Sequence, residues 1–256
     1  MMRSLAARTT LAAFCLALSS GIVAACPPQS TELLFHSCWG AARLSVHLLP
    51  EDLPVPPVPS SGRRLIVTGA YTARDTRDGG LPKPVGLFVR NGELVNPNLA
   101  RMDGVLVVDP GIGAPALHHR TKVPLGGRDY DLTRLMERRD FAAAASAAGL
   151  SVLQSHLLIV DGKVDVRPQD EAPVFVRRML FVSADGFGIY QPEGAMTLLS
   201  AAEKLAGELA PTMALNLDMG SYDYCRVSVS GEENACGILG PDSTEKLSNL
   251  LMLVIE

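Results

Sequence analysis

The sequence predicts a single α+β domain, mostly antiparallel or mixed sheet with a few helices. Three observations lead there. Asn91-Gly92, Asp161-Gly162 and Asp185-Gly186 are dipeptides that tolerate the positive φ angles of a tight hairpin. Each follows a short strand-like run. Only two segments combine strong helix formers or a helical apolar stripe with a stop signal.

The elements follow in chain order. Residues 1–25 read as a signal peptide: Arg3 and Arg8 precede the apolar stretch 11–25, which ends in Val23-Ala24-Ala25. The stretch is short for a membrane span, which needs roughly 20 residues, and no later segment reaches that length. Residues 26–256 are therefore expected to be one exported domain with no transmembrane helix in the mature chain. Val23-Ala24-Ala25-Cys26 also resembles a lipoprotein box, and an uncleaved anchor is a further alternative. With Cys15 removed, Cys26, Cys38, Cys225 and Cys236 remain, and lipidating Cys26 would strand Cys38. Spacing favours the disulfides Cys26–Cys38 and Cys225–Cys236, each closing a short loop.

Strands are expected at 43–49, where Leu44, Val46 and Leu48 alternate, and at 65–68, 86–90, 104–108, 157–160, 180–182 and 213–217. The proline-rich segment 53–60 cannot pair centrally in a sheet and reads as an exposed loop. Helices are expected at 132–148, Ala-rich and stopping at Gly149, and at 196–210, which stops before Pro211. In the second, Leu198, Leu199, Ala202 and Leu205 share a face. Residues 250–256 form a short apolar run that periodicity alone leaves as helix or strand.

The chain of 256 residues is 47% hydrophobic and 20% charged, which excludes disorder and collagen-like repeats. Without residues 1–25 it holds 21 basic against 27 acidic side chains. That balance lacks the basic footprint of a nucleic-acid binder. His118-His119 has no further ligand at recognised spacing and reads as an exposed loop pair, and the Cys residues form no CxxC motif, so no metal site is assigned. No GxSxG elbow, HExxH or P-loop occurs. The sequence assigns no cofactor.

Four places set polar groups on apolar elements: Thr68-Gly69-Ala70-Tyr71, Pro84-Val85-Gly86-Leu87, Gln154-Ser155-His156-Leu157-Leu158 and Leu217-Asp218-Met219-Gly220-Ser221. Taken singly, each is explained by turn chemistry. Their order, with Arg177 before Asp185-Gly186, resembles the phosphodiester glycosidase family, exported bacterial relatives of the mannose 6-phosphate uncovering enzyme. The resemblance runs from Cys26 to Glu256 and tilts the C-terminal run towards strand. Three positions depart from the family pattern: Thr68 stands where the family has Asn, His156 replaces Gly-Pro, and Met219 replaces Gly.

The resemblance implies an exported hydrolase of a sugar–phosphodiester bond, with a carbohydrate or sugar-phosphate ligand. Asp218 would stabilise or attack an oxocarbenium-like sugar, and Arg177 would hold the departing phosphate. Thr68, Gly69, Gly86, Gln154, Ser155, Gly220 and Ser221 would contact substrate. Arg178 is expected on the opposite side of its strand from Arg177. The departures keep a rival open: a catalytically degenerate envelope glycan-binding or structural protein of the same fold. Thr68, Gly86, Gln154, Arg177 and Asp218 are expected to converge on one cleft.

Overall fold

The computed structural model describes residues 33–53, 62–74 and 80–255. Three antiparallel sheets make the framework. A six-stranded sheet runs Leu33–Cys38, Gly186–Tyr190, Met179–Val182, Met213–Asn216, Leu157–Val160, Lys163–Val164 in spatial order. A second sheet, centred on Gln154, runs Glu93–Asn96, Phe88–Arg90, Ser151–Ser155, Gly104–Val108, Pro115–His119. A third, centred on Thr68, runs Ala42–Leu48, Asn249–Ile255, Arg63–Thr68, Cys225–Val229, Glu232–Ala235.

One apolar core joins all three. Phe35, Leu180, Phe187 and Leu215 from the first sheet meet Phe88, Leu106 and Leu153 from the second and Leu44, Leu65, Leu251 and Leu253 from the third. Burying such side chains contributes about 1.5–3 kcal/mol each. A core shared in this way makes the described residues one α+β domain. Two helices cover outer faces. Leu135–Ala147 lays Phe141, Ala142 and Ala145 on the Gln154 sheet, and Leu198–Leu209 lays Ala201, Ala202 and Leu205 on the six-stranded sheet. The second helix is capped by Thr197, whose Oγ1 accepts from the Ser200 amide at 3.1 Å, and it ends at Ala210 in the left-handed region.

Asn91-Gly92 and Asp161-Gly162 both take positive φ at both residues, as their hairpins require. Asp185-Gly186 does not. Its hairpin is closed by residues 183–185, and Gly186 is the first residue of the return strand. A Cβ on Gly186 would collide with the backbone carbonyl of Ser37, so close strand approach is what requires glycine there. His118 and His119 also differ from expectation: they end the strand Pro115–His119, opposite Val105 and Gly104. Residues 250–255 of the C-terminal run lie in the strand Asn249–Ile255, between Ala42–Leu48 and Arg63–Thr68 in the Thr68 sheet. Its pairing on both edges settles an ambiguity that periodicity cannot.

Cys225–Cys236 is a disulfide across the hairpin of the Thr68 sheet. Cys38 is also disulfide-bonded. The expected signal peptide, Cys26 and most of the proline-rich loop lie outside the described residues. No described helix is long and apolar enough to cross a membrane.

Candidate functional site

Asp218 is placed by two sheets at once. The strand Met213–Asn216 ends there, and the Leu217 amide makes a last bond to the Arg178 carbonyl at 3.0 Å. The next amide, of Asp218, turns to the Gly69 carbonyl at the end of the Thr68 strand, also at 3.0 Å. The carboxylate is thereby held between the sheets, 4% exposed, with Oδ2 accepting from the Thr72 amide at 3.0 Å. Burial pushes its pKa up to about 6, against the pull of the Thr72 and Met219 amides. Asp218 thus titrates close to neutrality.

It opens onto a cleft of about 470 Å³ that Tyr71, Phe175, Arg177 and Asn216 also line. Asp218 is the one acid among the lining residues. Arg177 is 9% exposed; its Nε donates to the Met196 carbonyl at 3.2 Å and Nη2 to the Pro173 carbonyl at 2.8 Å. Its guanidinium lies 5.2 Å from the Phe175 ring centroid. Among the described residues no carboxylate pairs with it. Burial lowers its pKa, and the Tyr71 phenol opposes that shift. Arg177 and Asp218 line the same cleft, and no salt bridge joins them among the described residues.

Tyr71 and Asn216 complete the wall. Asn216 Nδ2 donates to the Tyr71 hydroxyl at 2.5 Å and to the Leu217 carbonyl at 3.1 Å. With its oxygen accepting, the phenol keeps its own proton to donate. Burial first, then the Asp218 charge, raises its pKa and holds it neutral. Asn216 Oδ1 is buried with no hydrogen-bond partner. A buried orphan acceptor costs about 1–3 kcal/mol. The cleft therefore offers an anionic carboxylate, a cationic fork and a neutral O–H donor. Among the described residues no group of three or more His, Cys, Asp or Glu side chains is arranged to hold a metal ion.

The other sequence-derived positions divide. Gly220 and Ser221 line the cleft with Asp218. Thr68 is fully buried, its hydroxyl donating to the Tyr222 carbonyl at 2.5 Å and accepting from the Tyr224 amide at 3.1 Å. Gly69 faces Asn249, whose Oδ1 would collide with any Cβ there. Gln154 is also fully buried. Its Oε1 accepts from Leu87 and Ala100 amides at 3.2 and 2.9 Å, and its Nε2 donates to the Met102 carbonyl at 2.5 Å and the Ala100 carbonyl at 3.2 Å. Gly86, at φ 84°, would carry a Cβ 2.5 Å from Gln154 Oε1. Ser155 Oγ donates to the Asn216 carbonyl at 2.5 Å. Thr68, Gln154 and Ser155 thus direct their polar atoms at backbone, and neither they nor Gly69 and Gly86 line the cleft; of the five residues expected to converge there, only Arg177 and Asp218 do.

Arg178 turns away from the cleft into the core, donating to Asp223 at 2.9 Å and to Gln191 at 2.5 Å. Met219 lines the cleft with φ −142° and ψ −165°, extended backbone that suits any residue, while Gly220 takes the positive φ of 74°. Tyr71, Asn216 and Phe175 were not singled out from the sequence. The first two do stand inside the quoted motif neighbourhoods, at the ends of strands that converge here.

No family model matches the chain, and no curated protein matches it by sequence. Two solved structures are similar in shape. One is the zebrafish N-acetylglucosamine-1-phosphodiester alpha-N-acetylglucosaminidase catalytic domain auto-inhibited by its pro-peptide: 12% identity, 84% of this chain, 73% of that chain, TM-score 0.48. The other is a hypothetical protein from Synechocystis: 11% identity, 84% of this chain, 57% of that chain, TM-score 0.47. Neither value fixes the chemistry, which rests on the cleft itself.

Proposed function

We propose that the cleft binds a sugar phosphodiester and hydrolyses the bond between the anomeric carbon and the phosphate oxygen. The observation that carries this reading is one cleft lined by a single acid, Asp218, and by Arg177, which no described carboxylate pairs. The anomeric C–O bond breaks with its electron pair going to the phosphate oxygen. The ionised Asp218 carboxylate stabilises the positive charge left on the sugar, and water supplies the hydroxyl that ends on the anomeric carbon while its other proton passes to the released phosphate or to solvent. Most glycosidases need a second carboxylic acid to protonate an alcohol leaving group. A phosphate monoester is a far better leaving group, so a cation and one O–H donor replace the second acid. Arg177 offers the fork for two phosphate oxygens, and Tyr71 offers the O–H.

The Cys225–Cys236 disulfide is consistent with an oxidising compartment, and we place the protein outside the cytoplasm. A second reading, glycan binding without turnover, is favoured by Met219, whose side chain lines the space a sugar would fill. Mass spectrometry of a panel of sugar-1-phosphodiesters after incubation with the purified protein separates the two. The expected result is release of free sugar and a phosphate monoester, with Asp218→Asn slower by at least a hundredfold. Unchanged turnover in Asp218→Asn removes that residue from the chemistry. No turnover across the panel, together with a melting shift on adding sugar phosphates, selects the binding protein.

A further inference from the structure

A second cleft, of about 290 Å³, adjoins the first, and Tyr71 and Arg177 line both. Val166, Ala172 and Leu198 supply apolar wall, Arg167, Gln169 and Thr197 stand among the other lining residues, and no carboxylate lines it. His156 lines it too, its ring edge-on to Tyr71 with centroids 5.9 Å apart. A phosphodiester has two ends, and the reading above assigns only one. Its phosphate belongs on the wall that the two clefts share, where Arg177 lies. The sugar belongs beside Asp218, since only that cleft holds a carboxylate. The alcohol on the far side of the phosphate then has one place to lie.

We infer that this second cleft is the subsite for the leaving half of the substrate, and that it takes an apolar alcohol. The inference rests on the proposed phosphodiester chemistry for its orientation, but the subsite can be tested without turnover. A polyol would leave hydroxyls against Val166, Ala172 and Leu198; an alkyl chain buries its methylenes there. Each methylene fully buried raises affinity by about fourfold. A partly open cleft realises a fraction of that over several carbons.

The probes are methyl phosphate and hexyl phosphate, measured by titration calorimetry on the intact protein and on Ala172→Trp. Hexyl phosphate is expected to bind the parent at least about tenfold more tightly than methyl phosphate. Ala172→Trp is expected to erase that preference while keeping the methyl phosphate affinity of the parent, which also shows that the variant is folded. Equal affinities for the two probes in the parent, or a preference that survives Ala172→Trp, overturns the subsite. If neither probe binds, the subsite and the phosphate-holding role of Arg177 fall together. If the hexyl preference holds but no diester is cleaved, the subsite stands and hydrolysis alone is lost.

Discussion

At the scale of single residues, burial decides what each polar group can do. Asp218 is ionised only at the expense of leaving water, and the two backbone amides that help do not cancel that cost. An acid whose folded pKa is about 6 and whose reference value is 3.8 binds its proton more tightly in the native state. The folded state therefore loses stability relative to the unfolded one as pH rises from about 4 to above 6, and regains it as pH falls. Asp218→Asn has no charge to bury and can still accept from the Thr72 amide. It should be more stable than the parent at pH 8, by at most about 3 kcal/mol, and the difference should vanish near pH 4. Thermal melts across that range check it, and a variant less stable at pH 8 contradicts the assigned burial cost. Parent turnover should fall below about pH 6, as the working carboxylate takes up its proton. A residue that weakens the fold while enabling the chemistry is what a site residue looks like.

At the scale of elements, the hairpin around Asn91-Gly92 and the strand Ser151–Ser155 show why motif and site separate. Order along the chain marks Gly86 and Gln154 as a pair, and they are in contact. Sequence cannot tell whether an amide points at a ligand or at the neighbouring chain, because both are polar demands on the same side chain. Gln154 answers the second: its four bonds close the backbone of residues 87, 100 and 102, which have no strand partner there. Gln154→Leu keeps the volume and leaves those groups unsatisfied. It should lower stability by at least about 3 kcal/mol in urea titration, since each orphaned buried group costs about 1–3 kcal/mol. A fully stable but inactive Gln154→Leu would return the residue to substrate binding. Regular elements were legible for a simpler reason: the helix Leu198–Leu209 and the strand Ala42–Leu48 bury faces that their own spacing announces. Asp185-Gly186 misled because glycine serves close approach as well as turns, and only the neighbouring strand Leu33–Cys38 tells which.

At the scale of the whole molecule, the cleft exists because two sheets are locked together behind it. Asp218 hangs on the segment that leaves the six-stranded sheet at Asn216 and enters the Thr68 sheet at Cys225. The Arg178–Asp223 pair pins that segment from inside the core; the guanidinium is fully buried and also reaches Gln191 and the Tyr224 carbonyl. Burial lowers the Arg178 pKa, and Asp223 opposes that shift. Arg177 and Arg178 part company as the sequence leads one to expect, although neither lies in a regular strand: they link Phe175–Val176 to Met179–Val182. That the buried one carries the inter-sheet lock was not readable in the sequence, because Asp223 lies 45 residues away. Arg178→Met should strand the Asp223 charge and lower stability by about 3–5 kcal/mol. It should also weaken phosphate binding, although Arg178 does not line the cleft, because the Asp218 segment loses its anchor. Arg178→Met with Asp223→Asn removes the stranded charge and should recover at least half of the lost stability. Phosphate binding need not return with it, since a neutral amide beside a thioether no longer fixes the segment. Paired urea titrations and phosphate calorimetry on both variants separate the two effects. If the double variant is no more stable than Arg178→Met, the charge is not what holds the sheets, and the lock must be sought in the apolar core that all three sheets share.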